Sequence, residues 1–222
     1  MENPSRSTRR TSPAIETFLL CVFGLVAGAT SCLLASDAAY SLAPASRLWL
    51  EGDSTLHPYS AKATKLVVTF AFEPASEAGP ASELAALRAG AVRNLVLTVP
   101  VDGLSSGEAG LDKNLRKALK SATAPTIRFI LSDYSVDPAA ETVVAHARGR
   151  LSVAGVEKDV TVSGTCDVAA NGLHVVGTTD LLMSDFGIKP PTMMLGAIRT
   201  ADKVVVRFDL VFTPSPSTTL AQ

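Results

Sequence analysis

From Arg47 to Phe212 the apolar residues recur at every second position, and this period of two limits the fold more than any other feature. "KLVVTFAF" puts Leu66, Val68, Phe70 and Phe72 on one face. "RNLVLTVPV" does the same with Leu95, Leu97, Val99 and Val101. "TIRFILSDY" sets Ile127, Phe129 and Leu131 against Arg128, Ser132 and Tyr134. Val143, Ala145, Ala147, Gly149, Leu151 and Val153 alternate with His146, Arg148 and Arg150. Val160, Val162, Gly164, Cys166 and Val168 form the next inner row, then Leu173, Val175, Gly177, Leu181 and Met183, then Val204, Val206, Phe208, Leu210 and Phe212. Such alternation means strands with one buried and one wet face. With "RLWLEGDST" at 47–55 added, the pattern predicts about eight strands. Asn171-Gly172 is a strong hairpin signal, and "AGVEK" (154–158) and "DPAAE" (137–141) separate two further pairs. Consecutive hairpins make an all-β antiparallel meander, which can roll into a barrel or stack as a sandwich. One segment departs from the pattern: "GLDKNLRKALK" (110–120) places Leu111, Leu115, Ala118 and Leu119 at helical spacing, and the helix ends before Pro125. "SELAALRAG" (82–90) reads as a second short helix.

At the N-terminus Arg6, Arg9 and Arg10 precede an apolar run from Phe18 to Ala35, with the small residues Ser36 and Ala38 after it. Residues 1–38 read as an export signal or an uncleaved membrane anchor, and "ATSC" ending at Cys32 resembles a lipoprotein site. Residues 39–46 are then a linker, 47–213 the folded domain, and 214–222, rich in Pro, Ser and Thr, a disordered tail. Cys21 and Cys32 fall in the N-terminal run, so the exported domain keeps only Cys166 and has no internal disulfide. Apolar residues make up 47% of the chain and charged ones 18%, with a net charge of −1, which gives no electrostatic basis for binding nucleic acid or an anionic membrane surface. Contact with a membrane is expected only through the anchor or a lipid modification.

The chemical motifs are thin. Asp185-Phe186-Gly187 has the letters of a kinase magnesium motif, but no glycine-rich loop and no His-Arg-Asp accompany it. The tripeptide reads instead as a bend after a strand, with Phe186 plugging an apolar site. His146 and His174 fall on wet faces, and His57 has no partner at ligand spacing, so no metal site is expected. No Gly-x-Ser-x-Gly elbow occurs, and Cys166 points inward as an inert thiol. No catalytic residue and no enzyme activity are expected.

The inner face carries more information. Ala145, Ala147, Gly149, Gly164, Gly177 and Thr179 put small side chains in one sector, opposite the bulk of Phe70, Phe72, Phe129 and Phe208. Small residues facing aromatics suit an elongated apolar cavity.

Four segments together resemble the YceI-like family of exported lipocalin-like barrels: "GDSTLHPYSAKA", "VPVDGLSSGEAGLDKNLRKALKSATAPTIRF", "GRLSVAGVEKDVTV" and "LLMSDFGIKPPTMMLGAIRTADKVVVRFDLVF". The resemblance covers about residues 47–213, with Tyr59 and the loop 73–83 as local departures. It implies an antiparallel eight-stranded barrel with a helical cap, a periplasmic location, frequent dimerisation, and a polyisoprenoid or isoprenoid quinone in the lumen. It implies no other cofactor and no catalysis. On that basis Leu66, Val68, Phe70, Leu97, Val99, Phe129, Ala145, Ala147, Val162, Val175, Leu181 and Phe208 should line the lumen. Phe186, Ile188, Met193 and Met194 should form the entrance loop, and a polar mouth near His57, Lys113 or Lys189 could hold a head group. The alternative is a filled barrel acting as a non-catalytic interaction module of the envelope.

Overall fold

In the computed structural model, residues 40–72, 80–137, 143–169, 172–193 and 197–214 are described. The N-terminal segment 1–38, most of the loop 73–83, the turn 137–141 beyond Asp137, Asn171, Met194 and the tail from 215 lie outside the described residues.

The eight segments of alternation all form strands: β2 (Arg47–Ser54), β4 (Val67–Phe72), β5 (Val92–Pro100), β7 (Thr126–Val136), β8 (Val143–Val153), β9 (Val156–Ala169), β10 (Gly172–Leu182) and β12 (Ile198–Pro214). Four further strands bring the number among the described residues to twelve: β1 (Tyr40–Leu42), β3 (Tyr59–Ala63), β6 (Leu104–Ser105) and β11 (Thr192–Met193). Each is too short to show a period. β1 corrects the expected linker at 39–46, because Tyr40–Leu42 pairs with Phe212–Pro214. Among the described residues there are also two α-helices, α1 (Pro80–Arg88) and α2 (Ala109–Ala118).

The sheet runs β4-β5-β7-β8-β9-β10-β12-β2-β3-β6, and every pairing in it is antiparallel. It is the expected meander, with β2 laid beside β12 so that the domain's first long strand meets its last. The sheet curls into a lipocalin-like barrel, and short elements cover the seam between its two terminal strands. β1 brings Tyr40 onto β4, stacked on Phe70 at 5.0 Å and edge-on to Phe72 at 5.4 Å. On the other side Thr64, after β3, bonds the Gly103 carbonyl through its N–H at 2.7 Å and its hydroxyl at 2.8 Å.

The turn between β8 and β9 is tighter than the five residues expected. Val153 pairs with Val156, leaving only Ala154 (φ +52°) and Gly155 (φ +81°) between the strands. Two left-handed residues make a turn whose twist matches the strands on either side. After β10 a 3-10 turn, Met183–Phe186, ends on Gly187 at φ +63°, and Phe186 is buried. Asp185-Phe186-Gly187 is therefore a chain bend with an apolar plug.

Two clusters of buried side chains form the core, one near each end of the barrel. The first gathers Phe70, Phe72, Val92, Val143, Leu173, Leu210 and Phe212 with Tyr40 and Leu87. The second gathers Val99, Val101, Leu104, Leu119, Leu151 and Val153 with Phe186 and Ile188.

Candidate functional site

Between the two clusters the barrel is hollow. Val68, Phe70 and Val99, next to the clusters, are buried to 7% exposure or less. Leu97, Phe129, Ala145, Ala147, Val162, Val175, Leu181 and Phe208 point the same way yet are only half-buried. An inward side chain is incompletely covered when it faces a void. That void is a cavity of about 320 Å³, within the range of ligand pockets.

The cavity is long. Its wall includes Leu173 and Phe212 in the first cluster and Leu104, Leu119, Val153 and Ile188 in the second. Along β8 the wall runs from Ala145 to Val153, roughly 26 Å of strand. At usual barrel tilts this is roughly 20 Å along the axis. The barrel is not filled, which removes the basis for the solid interaction module.

Glycines and aromatics shape the bore jointly. A Cβ on Gly149 would lie 2.5 Å from Phe129 Cζ, and one on Gly177 2.3 Å from Phe208 Cζ. The two phenyl rings lie over glycines of the adjacent strands, so these small residues house rings and do not widen the bore. Open wall comes instead from Ala145, Ala147 and the aliphatic residues around them. Gly52 repeats the arrangement, with Tyr59 Cζ 2.2 Å from where its Cβ would stand.

Every residue lining the cavity is uncharged. Its titratable groups are held neutral. Burial pushes the Cys166 thiol up to about 11, and burial likewise raises Tyr134 and, with help from Asp53, Tyr59. The polar atoms of Tyr134 and Thr179 are engaged. The Tyr134 hydroxyl donates to the Leu87 carbonyl at 2.8 Å and accepts the Val92 N–H at 3.3 Å. The Thr179 hydroxyl donates to the Thr161 carbonyl at 3.4 Å. What remains is an apolar bore with little to offer a charged group.

The structure also corrects the expected site. Leu66 does not line the cavity; it packs, half-buried, against both core clusters just before β4 begins. Phe186 and Ile188 line it as buried walls. Met193 belongs to β11, which pairs with Ile198 and Arg199 of β12, and Met194 lies outside the described residues. His57, Lys113 and Lys189 are exposed, and none of them lines the cavity. The His57 Nδ1 lies 2.8 Å from the Pro58 carbonyl oxygen, a local contact. Among the described residues there is no cluster of His, Cys, Asp or Glu able to hold a metal ion.

Tyr134 was expected on the wet face but lines the cavity, because the register of β7 shifts between Leu131 and Asp133. A bulge there turns the following side chains over. Leu48 and Leu50 also line the bore, and their alternation in "RLWLEGDST" was a visible signal. Leu115 and Ala118, from the apolar face of α2, close it from outside the sheet.

The sequence profile of the YceI-like domain matches residues 54–212. The chain belongs to the YceI-like family. Solved structures share the fold. The BcnA protein of Burkholderia cenocepacia aligns with a TM-score of 0.57 at 18% identity, over 75% of this chain and 95% of its own. A structure from Saccharophagus degradans, described as a polyisoprenoid binding domain implicated in plant cell wall breakdown, aligns with a TM-score of 0.57 at 16% identity, over 81% of this chain and 99% of its own. The YceI protein of Campylobacter jejuni gives a TM-score of 0.52 at 16% identity, over 70% of this chain and 84% of its own. No curated protein matches the chain in sequence. The sheet supplies the container, and the cavity decides what this chain can hold.

Proposed function

We propose that this protein binds a long-chain isoprenoid lipid, a polyprenyl chain or an isoprenoid quinone, inside the barrel, and carries or sequesters it in the periplasm without catalysis. The observation that carries this reading is the uncharged cavity reaching from one core cluster to the other. A branched hydrocarbon chain fits such a space, and each enclosed methylene contributes roughly 0.8 kcal/mol before ordering costs. Family membership supports the reading, as does the Saccharophagus degradans structure described as polyisoprenoid binding. Phe129, Ala145, Ala147, Val162, Val175 and Phe208 would contact the tail.

Native mass spectrometry of the gently purified protein should show a lipid adduct. Ala147→Trp, which fills the middle of the bore, should remove the adduct while the barrel stays folded. A folded variant with unchanged lipid content would overturn the reading. Transfer of a fluorescent polyprenol between two vesicle populations would separate carriage, where the protein accelerates exchange, from sequestration. The periplasmic location rests on reading residues 1–38 as an export signal. Fractionation and N-terminal sequencing of the exported protein would test that reading and show whether the segment is cleaved, kept as an anchor or lipidated. Light scattering with and without lipid would test for a homodimer.

A further inference from the structure

β9 and β10 are neighbours in the wall but pair over only part of their length. Their register runs from Gly172↔Ala169 to Thr178↔Ser163 and stops. Beyond that point β9 stays on β8 as far as Val156, and β10 stays on β12 as far as Leu182. The strands separate just past Gly177↔Gly164, a facing glycine pair with no side chains to hold the wall together. After β10 the chain turns through Met183–Phe186, and Gly187 returns to the side chain of Val156. The opening is thus a window, bounded by the last ladder pair at one end and by this turn at the other.

A polar recess occupies the window, lined by Lys158, Asp159, Thr161, Asp180 and Asp185. It shares Val160, Thr179, Leu181, Leu182 and Phe186 with the central cavity. Leu182 is 43% exposed and borders both spaces. Where a ladder would continue, the Thr179 hydroxyl reaches across to the Thr161 carbonyl at 3.4 Å.

The geometry points to a head-group site in this window: the isoprenoid tail lies in the bore, and an uncharged, hydrogen-bonding head group, a hydroxyl or carbonyl, sits between β9 and β10. This rests on the lipid-binding reading and assigns its polar end. The facing strand edges no longer pair with each other, so their main-chain groups need partners from water or a ligand. A hydroxyl or carbonyl can supply them. A phosphate fits poorly, because three carboxylates and one ammonium line the recess. The nearby cations are engaged, Arg150 with Asp159 at 3.6 Å and Lys203 with Asp180 at 2.6 Å.

The test uses the full chain stripped of lipid, a polyprenol, and the polyprenyl monophosphate of the same chain length. The alcohol should bind about tenfold more tightly, and the ratio should fall with rising salt as the rim's repulsion is screened. The double variant Asp159→Lys/Asp185→Lys should shift the ratio towards the phosphate, and an unchanged ratio would overturn the window. A polyprenol carrying a photoreactive group at its polar end should label peptides containing 158–161 or 179–185, a readout that needs only the folded wild-type protein. Equal binding of both lipids, or labelling at α2 or His57, would overturn the window and leave the lipid-filled bore standing. Binding of neither lipid would remove the lipid reading and the window with it.

Discussion

The two helices cover the barrel differently, and their sequences suggest the reverse of what they do. α2 is the strongly amphipathic one, with Leu111, Leu115 and Ala118 on one face and Lys and Arg elsewhere, yet none of its residues is buried. α1 has little amphipathic pattern, yet Leu87 is 4% exposed and Glu83, bonded to the Tyr40 hydroxyl, is equally covered. The difference lies beneath them. α1 caps a solid floor of Phe70, Phe72, Val92 and Phe212, tied down by Tyr134 bonding the Leu87 carbonyl. α2 presents Leu115 and Ala118 to the cavity and packs them, only half-buried, against the edge of the second cluster. It is held at its start by polar contacts: Asp112 accepts the Ser106 N–H and hydroxyl at 2.6 Å and the Ser105 hydroxyl at 3.1 Å. One end of this molecule is built for stability and the other for occupancy.

Several experiments would break or sharpen that contrast. Phe72→Ala, at 1% exposure in the aromatic floor, should cost about 3–5 kcal/mol in urea unfolding. Leu87→Ala on α1 should cost about 2–3 kcal/mol, whereas Leu115→Ala on α2 should cost under about 1 kcal/mol, because a half-covered side chain has less burial to lose. Leu115→Ala should nonetheless lower lipid retention; equal stability losses on the two helices would erase the distinction.

Cys166 reports on the closed end. With its thiol raised from 9.0 to about 11, it stays protonated at neutral pH. In a chain with Cys21 and Cys32 replaced by Ser, thiol reagents at pH 8 should label it only as fast as the barrel opens. The native state holds this proton longer than the unfolded chain, so its contribution to stability is complete below pH 9 and disappears as pH rises towards about 11. The smallest effect concerns the other end. The Ser106 hydroxyl and N–H hold the Asp112 carboxyl below its usual 3.8. Its contribution is present above that value and is lost as pH falls through the depressed one. Pepsin should therefore cut α2 first on acidification, and Asp112→Asn should weaken this pH dependence.

Much of this was legible in advance. Alternation gave all eight long strands and the apolar face that each turns to the core. The short strands were hidden, because two to five residues cannot display a period. Tyr134 was misread because a bulge reverses the faces without changing a letter of the pattern. The glycines at 149 and 177 looked like empty space, and only the folded positions of Phe129 and Phe208 show that rings occupy it.

By itself, then, the amino-acid order determined which backbone is extended, which side of each strand is apolar, and which family the chain resembles. Those are local properties, set by side-chain direction within a few residues of chain. The hollow bore, the half-covered face of α2 and the parting of β9 from β10 were decided only when the sheet curled over on itself. Each depends on the distance between residues far apart in the chain, and no local periodicity carries that distance.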